Sequence, residues 1–178
     1  MKHQPPQPGA KRLKNKTMKT YVLLISRYFP ATHPRKGEFT DFCDKILVGC
    51  IFGPSNSTKG SLRKIHTIRA NYDLWKKRID EVNAGEAELS LRYWTDKPYK
   101  SKQEDFATIG KGGIGVQKIC FPKNNNPVVY DDFGYLCKVD KTILANNDGL
   151  SFDDFEAWFK GYDLSKPMAI IHFTDFRY

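Results

Sequence analysis

The chain has 178 residues, 40% hydrophobic and 13% aromatic, which excludes wholesale disorder and suffices for one domain with a buried core. Its formal net charge of +9 points to a polyanionic partner without fixing a fold. No apolar run nears the roughly 18 residues of a membrane-crossing helix, and residues 1–20 lack the apolar stretch of a secretory signal, so a cytoplasmic protein with no membrane association is expected.

The charge is unevenly placed. The first 20 residues hold six cations (Lys2, Lys11, Arg12, Lys14, Lys16, Lys19) and no acid, leaving a net of only +3 on the other 158. With Pro5, Pro6 and Pro8 they read as a disordered basic arm, in which Met18 is an alternative start. A single domain over residues 21–178 follows.

Along that domain, Tyr21–Ser26 is apolar enough for a buried strand. A Pro- and Gly-punctuated loop leads to Thr40, an N-cap candidate for a helix running through Val48 and stopped by Gly49, with Phe39, Phe42, Ile46 and Leu47 as its apolar stripe. Gly53–Gly60 reads as a polar loop. A short strand over Lys64–Arg69 precedes a helix capped by Asn71, running through Val82 and stopped by Gly85. Ala87–Trp94 alternates as a strand, Lys102–Ile109 does so more weakly, and Ile114–Phe121 follows a glycine turn. One or two strands lie around Gly134 within Val128–Val139. Ser151 caps a short helix over Phe152–Phe159, and Met168–Tyr178 closes the chain as a strand.

Six or seven short strands and three helices, without regular strand–helix–strand alternation, predict an α+β domain: a small mixed or antiparallel sheet or barrel with about three packed helices. None of the four cysteines (Cys43, Cys50, Cys120, Cys137) has Cys-x-x-Cys spacing and the histidines are scattered, so most of the cysteines are expected as buried free thiols, with no metal or other cofactor.

Lys64-Ile-His-Thr-Ile-Arg69 is the most informative stretch. On an extended chain Ile65, Thr67 and Arg69 share one face and His66 and Ile68 the other, so neither face is purely apolar. It reads either as a partly exposed edge strand or as a strand that carries chemistry.

Here the sequence resembles the ASCH family, small domains related to the PUA fold. Lys64, Thr67, Ile68 and Arg69 match the family's Lys-x-x-Thr-Ile-Arg pattern. Further along, 89–94, 97–103, 147–159 and 170–174 look in order like segments of an ASCH-like group from Bacteroidetes and their phages. The resemblance implies a PUA-like β-barrel with a cleft for RNA or a modified nucleoside. It also implies, by similarity to the bacterial N4-acetylcytidine amidohydrolases, Lys64 as proton acceptor, Thr67 as nucleophile and Asp148 as proton donor. Asp148 is one methylene shorter than the family's Glu, and a slip of one residue would place Asn147 there.

The chemistry has physical requirements. A threonine hydroxyl needs a neighbouring base to attack an amide. A lysine is that base only when burial or nearby cations, here Arg63 and Arg69, lower its pKa well below about 10.4. Residues three apart point to opposite faces of a regular strand, so Lys64 has to lie in a loop or bulge that returns it to Thr67.

Arg92, Tyr93, Trp94, Lys97, Tyr99, Lys100 and Lys102 interleave cations with aromatic rings, the pattern that holds single-stranded RNA by stacking and phosphate contact. His33 and Arg35, in a loop, are further candidates for phosphate contact, and His66 and Arg69, beside Thr67, for ligand contact. Solvated turns and satisfied core histidines are the plain alternatives. The function expected is RNA or nucleoside binding in a cationic cleft, with hydrolysis of an acylated base such as N4-acetylcytidine as the chemistry the resemblance adds. The alternative is a non-catalytic protein-interaction factor, for example a phage-borne inhibitor.

Overall fold

The computed structural model describes residues 18–54, 62–123, 126–131 and 133–178. Most of the expected basic arm, and the expected loop from residue 55 onward, lie outside them.

The chain folds as β1 (Lys19–Leu24), α1 (Phe42–Phe52), β2 (His66–Ala70), α2 (Tyr72–Ala84), β3 (Ala87–Trp94), β4 (Gln103–Ile109), β5 (Gly115–Cys120), β6 (Val128–Tyr130), β7 (Leu136–Lys138), α3 (Lys141–Asn147), α4 (Phe152–Phe159) and β8 (Met168–His172). The strands form two sheets, a three-stranded one ordered β1-β3-β4 and a five-stranded one ordered β2-β8-β5-β6-β7. β1 runs parallel to β3, and every other pairing is antiparallel. The expected α+β class holds; among the described residues no closed barrel forms.

Local sequence explains most elements. Asn71 caps α2, its side chain accepting from Leu74 N, and Gly85 ends that helix in the left-handed region at φ 78°. Ser151 caps α4 by accepting from Asp154 N. Gly134 turns the β6–β7 hairpin at φ 85°. Two expectations at α1 need correction. Thr40 is not the formal cap residue, though its hydroxyl accepts from Phe42 N at 3.3 Å and donates to Ser26 O at 2.7 Å. Gly49 does not stop the helix. It lies inside it and lets β2 approach, since a Cβ there would meet Lys64 O at 2.8 Å. The closing strand is also shorter than expected: β8 ends at His172 and the chain continues as an irregular tail.

The core lies where the helices pack on the sheets. Leu23, Leu89 and Leu91 from the small sheet, Ile119, Ile170 and Ile171 from the large one, and Ile46, Ile79, Leu144 and Phe155 from the helices are all buried. Phe39 and Leu47, expected on the buried stripe of α1, are exposed. Of the four cysteines, all free, Cys50 and Cys137 are exposed and Cys43 and Cys120 half-buried, so the expectation of buried thiols fails. Among the described residues no helix is long and apolar enough to cross a membrane, and no group of three or more His, Cys, Asp or Glu could hold a metal ion.

Candidate functional site

Lys64 and Asp148 meet in the interior. Lys64 enters β2 and Asp148 ends α3, and the two segments are tied by an antiparallel bridge between them and by Ile65 N donating to Asn147 O at 2.9 Å. The Lys64 ammonium donates to Asp148 Oδ1 at 2.5 Å and to Asp148 O at 2.7 Å, and sits 4.1 Å from the centre of the Phe42 ring. The two side chains are only 2% and 6% exposed. Gly149 follows in the left-handed region at φ 76°, and its carbonyl accepts from Lys45 Nζ at 3.1 Å.

Burial lowers the Lys64 pKa despite the attraction of Asp148. Burial pushes the Asp148 carboxyl up, but Lys64 and His66 together pull it further down, so it stays ionised. His66 Nδ1 lies 3.7 Å from Asp148 Oδ1, and burial holds this histidine below its ordinary pKa. Its Nε2 lies 2.8 Å from the Tyr178 hydroxyl, which also accepts from Asn147 Nδ2 at 3.0 Å. His172 sits opposite His66 across the β2–β8 ladder, burial pushing its pKa down to about 2, which keeps it neutral.

Thr67 does not join this group. The β2–β8 register is unbroken from His66 to Ala70, so alternation places His66 and Thr67 on opposite faces of the sheet. His66 shares the face of Lys64 and Asp148. Thr67 pairs with Ile171, itself paired with Val116, on the face that α2 covers. Two of the three N–H groups of the Lys64 ammonium go to Asp148, and among the described residues no hydrogen bond links Lys64 to Thr67. The three residues of the amidohydrolase trio are therefore divided: Lys64 and Asp148 come together and Thr67 faces away.

Several expected ligand contacts are engaged inside the fold. Arg69 Nη2 donates to Leu24 O at 2.8 Å, bridging β2 to β1, and burial lowers its pKa. Arg63 donates to the carbonyls of Phe52, Gly53 and Pro54 rather than supplying a field at Lys64. His33 is buried against Phe29, with ring centres 4.4 Å apart, and its Nε2 lies 3.1 Å from Asp154 O, so it ties the loop to α4 instead of meeting phosphate. Arg35 pairs with Glu38 and Asp154 at 2.8 and 2.9 Å.

The β3–β4 hairpin differs. It carries Arg92, Tyr93 and Trp94 at the end of β3 and Lys97, Tyr99, Lys100 and Lys102 in the turn to β4. Arg92 is taken up by Asp105 at 2.6 Å, and the Tyr93 hydroxyl donates to Glu104 at 2.9 Å. Lys97, Lys100 and Lys102 are exposed, and among the described residues none pairs with a carboxylate. Tyr99 is 86% exposed, at φ 63°, with its ring 5.4 Å from that of Trp94.

Beside the hairpin, a groove of about 470 Å³ runs between α1 and β3–β4. Phe39, Phe42, Tyr93 and Phe106 supply its aromatic walls, and Asp41 and Asp44 its carboxylates. The Arg27 guanidinium lies 4.9 Å from the Tyr93 ring and 5.7 Å from those of Phe39 and Tyr28, and donates to Thr95 O at 3.1 Å. Burial raises the thiol of Cys43, in the same groove, to about 11, so it stays protonated. Sequence reasoning misses Arg27, Phe39 and Phe106. Only the adjacent cation and ring of Arg27-Tyr28 hint at this site.

No family model matches the chain, and comparison with curated proteins and with solved structures finds no match. The ASCH resemblance therefore rests on its sequence motifs alone.

Proposed function

We propose that this protein binds single-stranded RNA or a nucleoside, with the α1–β3–β4 groove as the base site and the β3–β4 hairpin as the phosphate and stacking arm. One observation carries the reading: a guanidinium set among three aromatic rings at a groove walled in part by β3–β4, whose turn carries three exposed lysines that pair with no carboxylate among the described residues. Rings accept any base face, lysines neutralise phosphates, and the Asp41 and Asp44 carboxylates offer acceptors to exocyclic amino groups. On this reading the two sheets are the halves of a PUA-like barrel opened at one seam, and the Arg69 link between the β2 and β1 edges supports that view. Deacylation forms no part of the reading, since Thr67 faces away from Lys64.

The test is binding of a fluorescent single-stranded RNA and of free nucleosides, followed by anisotropy or calorimetry as salt rises. Affinity for RNA should fall linearly on a log–log plot. Absence of binding to either ligand at low salt overturns the proposal.

A further inference from the structure

On the opposite side of the large sheet, we propose that Lys118 anchors a second site, for a small molecule carrying a phosphate monoester on an aromatic body, the simplest being a nucleoside monophosphate. The proposal does not rest on the RNA reading, because the two sites share no residue.

Lys118 lies in the middle of β5, on the face that α2 covers. Its ammonium sits 5.7 Å from the centre of the Tyr72 ring, at the start of α2, and 5.1 Å from that of Tyr130 on β6. Grooves open on both sides of it, one of about 560 Å³ between α2 and β5–β6, the other of about 590 Å³ between the start of α2 and the segment leading into β8. Lys118 and Tyr72 line both. Each volume falls in the range of about 300–1,000 Å³ usual for small-ligand sites.

The surrounding charges decide what such a ligand carries. Asp80 is held by Lys76 at 2.7 Å. Asp131 Oδ1 accepts from the backbone N–H groups of Phe133 and Tyr135, fixing the β6–β7 turn. Asp163 is engaged by Ser165 and lies 3.8 Å from Lys166, while Asp73 lines the second groove with Lys118. Lys118, by contrast, has no carboxylate or other hydrogen-bond acceptor among the described residues, only two ring faces. A half-buried lysine in that state keeps its donors for solvent or a ligand, and phosphate oxygens offer charged acceptors stronger than water. The tyrosine rings beside it offer apolar area to the body that carries the phosphate. The first groove also contains Asn83, whose Oδ1 is buried without a hydrogen-bond partner among the described residues.

Calorimetric titration of the full chain with CMP, AMP, cytidine and inorganic phosphate tests this. The two monophosphates are expected to bind about tenfold or more tightly than either cytidine or phosphate alone. Lys118→Gln, which keeps a polar side chain and removes the charge, should weaken them by about tenfold or more, while Lys118→Arg retains most of the affinity. If Lys118→Gln does not fold, Tyr130→Leu carries the same expectation through removal of the ring. Nucleotides binding no better than inorganic phosphate, or unaltered binding in the Lys118→Gln protein, overturns the proposal.

Discussion

The Lys64–Asp148 centre and the β3–β4 hairpin are both rich in charge, and they use it in opposite ways. In and around the centre the cations are satisfied by other parts of the chain: Lys64 by Asp148, Lys45 by the carbonyls of Thr40 and Gly149, and, on the other face of β2, Arg69 by those of Leu24 and Ile68. At the hairpin Arg92 and Tyr93 are taken up by Asp105 and Glu104, but Lys97, Lys100, Lys102 and Tyr99 face solvent. Motif chemistry alone ranks the centre above the hairpin as a functional site. In the structure the buried pair works as a latch between α1, β2 and α3, whereas the cations and rings of the hairpin turn face solvent.

The largest effect should come from breaking the latch. Asp148→Ala leaves the Lys64 ammonium buried and unpaired, and should cost about 3–5 kcal/mol in urea denaturation. Replacing both partners by apolar residues, Lys64→Met with Asp148→Leu, should cost far less. If the double replacement is as damaging as the single, the pair does more than hold elements together. The latch also predicts a pH dependence. The Asp148 carboxyl titrates below its usual 3.8 in the folded protein, so its contribution is complete above that pH and is lost as pH falls through the folded value. Denaturation midpoints compared below and above that pH should show this loss in the native chain and its absence in Asp148→Asn.

The hairpin predicts the converse, changes in binding with little change in stability. Trp94→Ala and Tyr99→Ala should each weaken RNA binding by about 1–3 kcal/mol for a stacked base. Changing Lys97, Lys100 and Lys102 to Gln should flatten the log–log salt slope by about 0.7 for each phosphate that is no longer neutralised. For Tyr99, already exposed, the unfolding midpoint should stay put; a large drop would make the hairpin a packing element. A smaller effect is expected at the edge of the latch, where Tyr178→Phe removes the hydroxyl shared by His66 and Asn147 and should cost about 1–2 kcal/mol. The smallest belongs to Arg92→Ala, which breaks one surface pair worth less than about 1 kcal/mol and should leave RNA binding unaltered, since Asp105 already holds that guanidinium.

Much of the fold is legible in the sequence because its signals are local. Alternation marks β3, the Asn71 cap and Gly85 stop frame α2, and Ser151 places the start of α4. The signals that mislead are those whose meaning depends on a neighbour distant in sequence. Gly49 looks like a helix stop until the carbonyl of Lys64 is packed against it. α3 escapes notice because seven residues capped by Asp140 give too short a periodicity to stand out. The family motif singles out Lys64 and Asp148 together, yet the β2–β8 register turns its third member, Thr67, to the other face.

By itself the sequence determined most of the elements, the class and the uneven charge, since periodicity, caps and composition act within a few residues. Only the tertiary structure decided which charges are consumed and which are offered. That depends on long-range pairing: Asp148 is 84 residues from Lys64, and Asp154 is 119 from Arg35. A side chain's partner in space fixes its burial and its electrostatics, and no local pattern in the sequence records that partner.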